Sequence, residues 1–172
     1  MTGLAALGLI VVVVALGVVL SAKVVQPHER LVIVRMGRMG RDLVRGPGLA
    51  FLIPVLDRGI RVDMRPRTYE LVDSRMATDD GKAIAVDATI RCHVVDALTA
   101  TTNVAYLDAA LPALTENQLR AVAVTMAQAD LLVGRSRLQS MVFEAVDVAA
   151  KRWGTSLDGI EITDVRPLDA VR

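Results

Sequence analysis

The sequence predicts an α+β domain behind one N-terminal membrane helix, and three observations carry that prediction. Residues 3–22 are uncharged and dominated by Val, Leu, Ala and Ile, and Lys23 ends the run. Residues 84–94 alternate apolar and polar side chains at the two-residue period of a half-buried strand. Strand patterns fill the chain up to Asp96, helical patterns follow, and one strand closes it. That order favours segregated strands and helices over a doubly wound sheet.

The apolar run comes first in the chain. At about 1.5 Å rise per residue it spans a hydrocarbon core of roughly 30 Å as a single helix. A cleavable leader is the competing reading. Met1-Thr2 lacks the basic flank such leaders carry, and Leu20-Ser21-Ala22 puts a bulky residue where cleavage wants a small one. Residues 1–23 are therefore read as a retained anchor. Lys23, Arg30, Arg35, Arg38, Arg41 and Arg45 follow it against only Glu29 and Asp42, which places the domain on the cytoplasmic side. Gly17 and Ser21 form a small-xxx-small pair, the candidate self-association contact between two such helices.

The formal net charge of +1 hides an asymmetry: residues 23–75 carry eleven basic and six acidic side chains, residues 76–172 nine and thirteen. The basic half lies beside the bilayer, where anionic headgroups attract each Lys or Arg by about 1 kcal/mol. Nucleic acid is not an expected partner, because stacking aromatics are scarce and no groove-binding motif appears.

Two lobes are expected, residues 24–76 rich in strands and residues 77–166 mixed, with a tail at 167–172. In the first lobe residues 31–36 read as a strand, followed by a turn at Gly37-Arg38-Met39-Gly40. Gly46-Pro47-Gly48 opens an uncharged stretch, residues 48–56, too short to span a bilayer. It has two readings: a buried loop and strand, or an apolar loop entering the membrane interface with Phe51 and Leu52 as insertion points. Arg35, Arg38, Arg41 and Arg45 are the basic contacts that accompany the second reading. Residues 58–64 and 67–72 are further strands, and Asp79-Asp80-Gly81 is a turn. In the second lobe Thr115-Glu116-Asn117-Gln118 and Ser136-Arg137-Leu138-Gln139 read as capping boxes. The helix opened by Ser136 runs to Trp153, with Lys151 and Arg152 in its last turn and Gly154 at the C′ position. Residues 160–165 form the last strand.

No enzyme chemistry is legible. Ser21, Ser74, Ser136, Ser140 and Ser156 lie in no nucleophile motif. Gly37-Arg38-Met39-Gly40 lacks the lysine and helix of a phosphate loop. Asp79-Asp80 reads as a solvated turn rather than a cation site. Cys92 and His93 fall on opposite strand faces, Cys92 in the core and His93 on the surface, so they do not chelate one metal, and His28 has no ligand at suitable spacing. A single cysteine forms no intrachain disulfide and fits a reducing compartment. No cofactor, metal or catalytic residue is expected.

An ordered set of segments resembles the stomatin branch of the SPFH (band 7) family. It begins with Val24-Val25-Gln26-Pro27-His28-Glu29-Arg30, Gly37-Arg38, Arg45-Gly46-Pro47-Gly48-Leu49 and Phe51-Leu52-Ile53-Pro54. It continues through Val62-Asp63-Met64-Arg65, Arg67-Thr68, Val86-Asp87-Ala88, Leu119-Arg120, Trp153-Gly154 and Ile160-Glu161-Ile162-Thr163-Asp164-Val165. The resemblance implies a two-lobed SPFH domain lying on membrane lipid, assembling as a homo-oligomer that organises microdomains and regulates proteases, channels or transporters. An NfeD-class membrane serine protease is the prokaryotic partner it implies. Two departures stand beside it. Stomatins continue beyond the position of Val165 into a long coiled-coil helix, whereas this sequence ends at Arg172 after Pro167. The large closed assembly is therefore not carried over, while lobe-to-lobe contact stays open. Arg91, Cys92 and His93 also stand where the family often has aromatic residues. The expected function is a non-catalytic membrane scaffold. The alternatives are a monomeric or dimeric accessory subunit of a membrane protease, or a peripheral module for anionic lipid.

Overall fold

The computed structural model describes residues 21–53, 56–104 and 106–168. Gly17 and almost all of the apolar run lie outside the described residues, as do Pro54 and the end of the tail. Among the described residues no helix is long and apolar enough to cross a membrane. Ala22 and Lys23, the last residues assigned to the anchor, already belong to a strand.

The chain divides into two units between Met64 and Arg65, ahead of the Met76/Ala77 boundary expected from the sequence. The reason is one long strand. Arg67–Ala77 is a single element hydrogen-bonded along its length to the first strand beyond the Asp79-Asp80-Gly81 turn, so it cannot belong to the other lobe.

Among the described residues of unit 1 there are five strands: β1 (Ala22–Val25), β2 (Glu29–Arg35), β3 (Val44–Arg45), β4 (Gly48–Phe51) and β5 (Asp57–Asp63). β1 and β4 pair as an antiparallel ribbon, and β3-β2-β5 form a second sheet. β2 is central, and its Leu31, Val32 and Ile33 are all buried, as a continuous apolar run in a central strand should be. Met36 and Gly37 both take positive φ, and Arg35 and Arg38 exchange backbone hydrogen bonds around them. The turn is thus tighter than the four residues expected, with the backbone signature of a two-residue hairpin turn. Val25, Leu31, Ile33, Ala50 and Leu52 form the core.

Unit 2 is an antiparallel sheet of β6 (Arg67–Ala77), β7 (Ala83–Val94) and β8 (Thr155–Leu168), in that order, with four helices between β7 and β8. These are α1 (Ala97–Asn103), α2 (Leu107–Ala123), α3 (Gln128–Val133) and α4 (Arg135–Arg152). The alternation read in β7 holds: Ile84, Val86, Ala88, Ile90, Cys92 and Val94 are all buried. Leu111, Leu119 and Ala123 of α2, Leu131 of α3, and Leu138, Val142, Val146 and Ala150 of α4 cover that face. Cys92 is a free, buried thiol, and burial pushes it up to about 11, so it stays protonated and unreactive at neutral pH.

Neither expected capping box exists. Thr115 lies inside α2, fully buried, and its Oγ1 donates to the Leu111 carbonyl at 2.9 Å. The helix starts at Leu107 and passes through Pro112. Proline inside a helix costs about 3 kcal/mol, and the four-spaced buried row Leu111, Thr115, Leu119 and Ala123 offsets it. Ser136 is not a cap either: Gly134 holds that position without a side-chain bond, and the Ser136 carbonyl accepts from Ser140 Oγ. The true cap is Asp96 of α1, whose carboxylate accepts from the Leu98 amide at 3.0 Å.

The far end of α4 follows the sequence reading, with Lys151 and Arg152 in the last turn and Gly154 beyond it at φ +70°. Its carbonyl accepts from the amides of Val95 and Asp96, both at 2.9 Å. A Cβ there would lie 2.6 Å from the Asp96 carbonyl oxygen and 2.9 Å from Thr99 Cβ. Gly154→Ala should therefore cost more than about 2 kcal/mol, combining left-handed strain with a backbone clash. Gly81→Ala, at φ +71° with nothing within 4 Å of the added carbon, should cost only about 1 kcal/mol. Denaturant midpoints followed by Trp153 fluorescence separate the two.

Candidate membrane-facing site

The β1–β4 ribbon begins where the apolar N-terminal run ends. Its register sets Ala22 opposite Phe51 and Val24 opposite Leu49, so those four side chains share one face. The other face holds Ala50 and Val25, both in the core. Val24, Leu49 and Phe51 are 66%, 62% and 59% exposed, while Leu52 is only 8% exposed.

Leu52 is therefore not an insertion point. Its amide donates to the Ser21 carbonyl at 2.9 Å, and its side chain reaches the face of β5 where Gly59 leaves room. An added Cβ at Gly59 would come within 2.9 Å of Leu52 Cδ2 and 3.0 Å of Leu31 Cδ1. Phe51, one residue earlier, points outward as the second sequence reading required. The uncharged stretch is thus a strand with one buried and one open face, which joins the two readings rather than choosing between them.

Beyond β4 the exposed apolar surface continues through Ile53 and Leu56, and the Leu56 carbonyl accepts from the amide of exposed Met36 at 3.2 Å. One ion pair fixes this turn. Arg35 Nε and Nη2 donate to the two carboxylate oxygens of Asp57 at 2.7 and 2.9 Å, and Asp57 also accepts from the Ile53 amide at 3.0 Å. The Arg35 guanidinium, with the Ile53 amide, holds the Asp57 carboxyl down to about 2.

The basic residues divide accordingly. Arg35 is engaged internally and is a clamp, not a free headgroup contact. Arg38 sits just past the turn, Arg41 opens a short 3-10 turn, and Arg45 lies on β3 opposite Leu31; all three are exposed and form no ion pair among the described residues. Of the candidate helix-contact pair, Gly17 lies outside the described residues, and Ser21 abuts Leu52 through its carbonyl. Sequence reasoning missed Val24 and Leu49. In an all-apolar stretch the two-residue period carries no contrast, and only the pairing with β1 tells in from out.

His93 pairs with Asp158 at 2.8 Å on the face opposite Cys92. Asp80 accepts from Thr78 Oγ1, from the Gln128 amide and from Lys82 Nζ, which turns the expected solvated turn into a pinned one.

Asp57 supplies a pH test. Its carboxyl is near 3.8 when unfolded and about 2 when folded. The depressed value means that its contribution is complete above about pH 4 and is lost as pH falls toward 2. Amides of the β2–β5 ladder should lose hydrogen-exchange protection across that window, after correction for intrinsic rates. Asp57→Asn should start from lower protection at pH 5 and show little further loss.

A family model described as "SPFH domain / Band 7 family" matches residues 23–172. The chain is 33% identical over 144 residues to the Band 7 protein CG42540 of Drosophila melanogaster, covering 84% of this chain and 28% of that one. It is 29% identical over 157 residues to Stomatin of Mus musculus, covering 91% and 55%. It is 32% identical over 166 residues to an uncharacterized protein of Archaeoglobus fulgidus, covering 96% and 66%. The chain thus spans between about a quarter and two thirds of the length of these relatives. With the family model matched over nearly the whole sequence and stomatins among the relatives, the chain belongs to the SPFH (band 7) family as a stomatin-like member.

Proposed function

We infer that this protein is a membrane-attached, non-catalytic scaffold whose first unit rests on the cytoplasmic leaflet. One observation carries the inference: the exposed apolar face of the β1–β4 ribbon starts at the residue that ends the apolar N-terminal run. A single-pass anchor over residues 3–21, ending where β1 begins, would deliver Val24, Leu49 and Phe51 to the interface. Apolar patches with a polar rim mark membrane or protein contacts, and Arg38, Arg41 and Arg45 supply a rim suited to anionic headgroups. Family membership supports membrane association and a scaffold role in general. Self-association through neighbouring domains, with Gly17 and Ser21 as the helix-approach pair, belongs to the same reading. So does regulation of an integral partner such as an NfeD-class serine protease or a transporter.

The membrane contact is tested with residues 21–172 and vesicles containing anionic lipid. Burying one Leu or Phe side chain contributes about 1.5–3 kcal/mol, so Leu49→Asp with Phe51→Asp should weaken flotation with vesicles by at least about tenfold. High salt should weaken the wild-type contact by screening the arginines. Unchanged flotation of the double variant removes the ribbon from the interface. Self-association is read from the mass of the full chain in mild detergent by light scattering corrected for bound detergent. Many copies support the scaffold; a monomer or dimer points to an accessory subunit of one membrane partner.

A further inference from the structure

The sheet of unit 2 ends on β8, and among the described residues nothing pairs with the outer edge of that strand. Such an edge presents a row of free amide and carbonyl groups that a second extended chain can use. β8 is not uniform along its length. Against β7, Arg91 pairs with Gly159 and Cys92 with Leu157, which leaves Asp158 as an extra residue. Asp87 pairs with Asp164 and Ala88 with Ile162, which leaves Thr163 extra. Two bulges therefore bracket a regular stretch, residues 159–162. Bulges bend a strand and locally break its ladder, so the regular stretch of this edge is short.

An open groove of about 390 Å³ runs beside that stretch, between β8 and α4. Its helix side is Gln139, Ser140, Phe143 and Glu144, one face of α4, and its strand side is Asp158, Gly159 and Ile160. Phe143 packs partly against the core, so the groove has an apolar wall. Gly159 pairs with Arg91 and shares its outer sheet face, where the nearest atom to an added Cβ would be Arg91 Nη2 at 3.9 Å, so that face is open beside it. The charged groups lining the groove are both acidic. Asp158 is engaged by His93, whereas Glu144 is exposed and has no ion pair or hydrogen bond among the described residues.

We propose that the edge of β8 beside α4 docks a short, extended, basic segment of a partner protein by strand addition. Main-chain bonds to residues 159–162 hold the segment, and alternate side chains fall on the two faces of the extended sheet. The set facing α4 is basic: its aliphatic stems cover Phe143 and its head group reaches Glu144, which accepts its hydrogen bonds and supplies the counter-charge. The other set, apolar, lies over the outer face beside Gly159. This contact is separate from the lipid-facing ribbon, so it stands or falls independently of the membrane reading.

The test uses the full chain in nonionic detergent and a dye-labelled, acetylated and amidated pentapeptide of alternating valine and arginine. Anisotropy should show saturable binding, and hydrogen exchange should slow at amides within residues 159–162. Glu144→Lys, on an exposed helix position that leaves the fold intact, should weaken binding by about tenfold through loss of attraction and added repulsion. N-methylation of alternate peptide amides should abolish binding, as should replacement of arginine by glutamate. Equal affinity for Glu144→Lys or for the N-methylated peptide would overturn the proposal, as would protection confined to other segments or no binding at all. A fall in particle mass as the peptide saturates would also overturn it, by showing that a second copy of the chain fills the groove.

Discussion

Successive side chains of a strand point to opposite faces, and a strand of only apolar residues cannot hide them all unless both faces are covered. The ribbon of β1 and β4 has one cover, the sheet built on β2. Ala50, Leu52 and Val25 take that side and complete the small core of unit 1. Leu49, Phe51 and Val24 are then left outside by geometry, whatever their hydrophobicity. A water-facing surface would favour polar residues at these positions. Their apolar character is consistent with a surface that faces something other than water, and the uncharged run entering at Ala22 supplies the candidate.

The Arg35–Asp57 pair extends the same logic beyond the strand. A surface ion pair contributes little by itself, but this one is bidentate, and its carboxylate also accepts from the Ile53 amide. It fixes the point at which the chain leaves the ribbon and enters β5, and so keeps Ile53 and Leu56 on the outer side. A basic residue that reads from sequence as a lipid contact is thereby withdrawn from that role. Arg38, Arg41 and Arg45 stay exposed and carry no such clamp.

Legibility followed contrast. β7 could be read almost residue by residue, because its apolar and polar positions alternate and its two faces see different surroundings. The C-terminal end of α4 was readable too, since Gly154 and the basic last turn are local signals with local causes. α2 was not. Thr115 followed by Gln118 looked like a cap, yet long-range packing of one buried row overrode it and carried the helix through Pro112. The inward turn of Leu52 had the same kind of cause, a vacancy at Gly59 that no local pattern announces. The lobe boundary also moved, because β6 is claimed by a partner beyond the turn that follows it.

Several carboxylates of unit 2 are committed to the fold. Asp96 caps α1, Asp80 pins the turn between β6 and β7, and Asp108 accepts from both Arg67 and Tyr69 to tie α2 to β6. Asp87 accepts the Asp73 amide inside the β6 bulge and two bonds from Arg166, which also approaches Asp164 at 3.4 Å. Each of these groups spends its hydrogen-bonding capacity on the fold, so counting acidic residues overstates the potential offered to a partner. Glu144 differs. It stands on a long, well-packed helix, faces solvent, and carries its charge with no internal obligation. Glu144 lines the groove beside β8, so its charge bears on the proposed docking segment rather than on the fold.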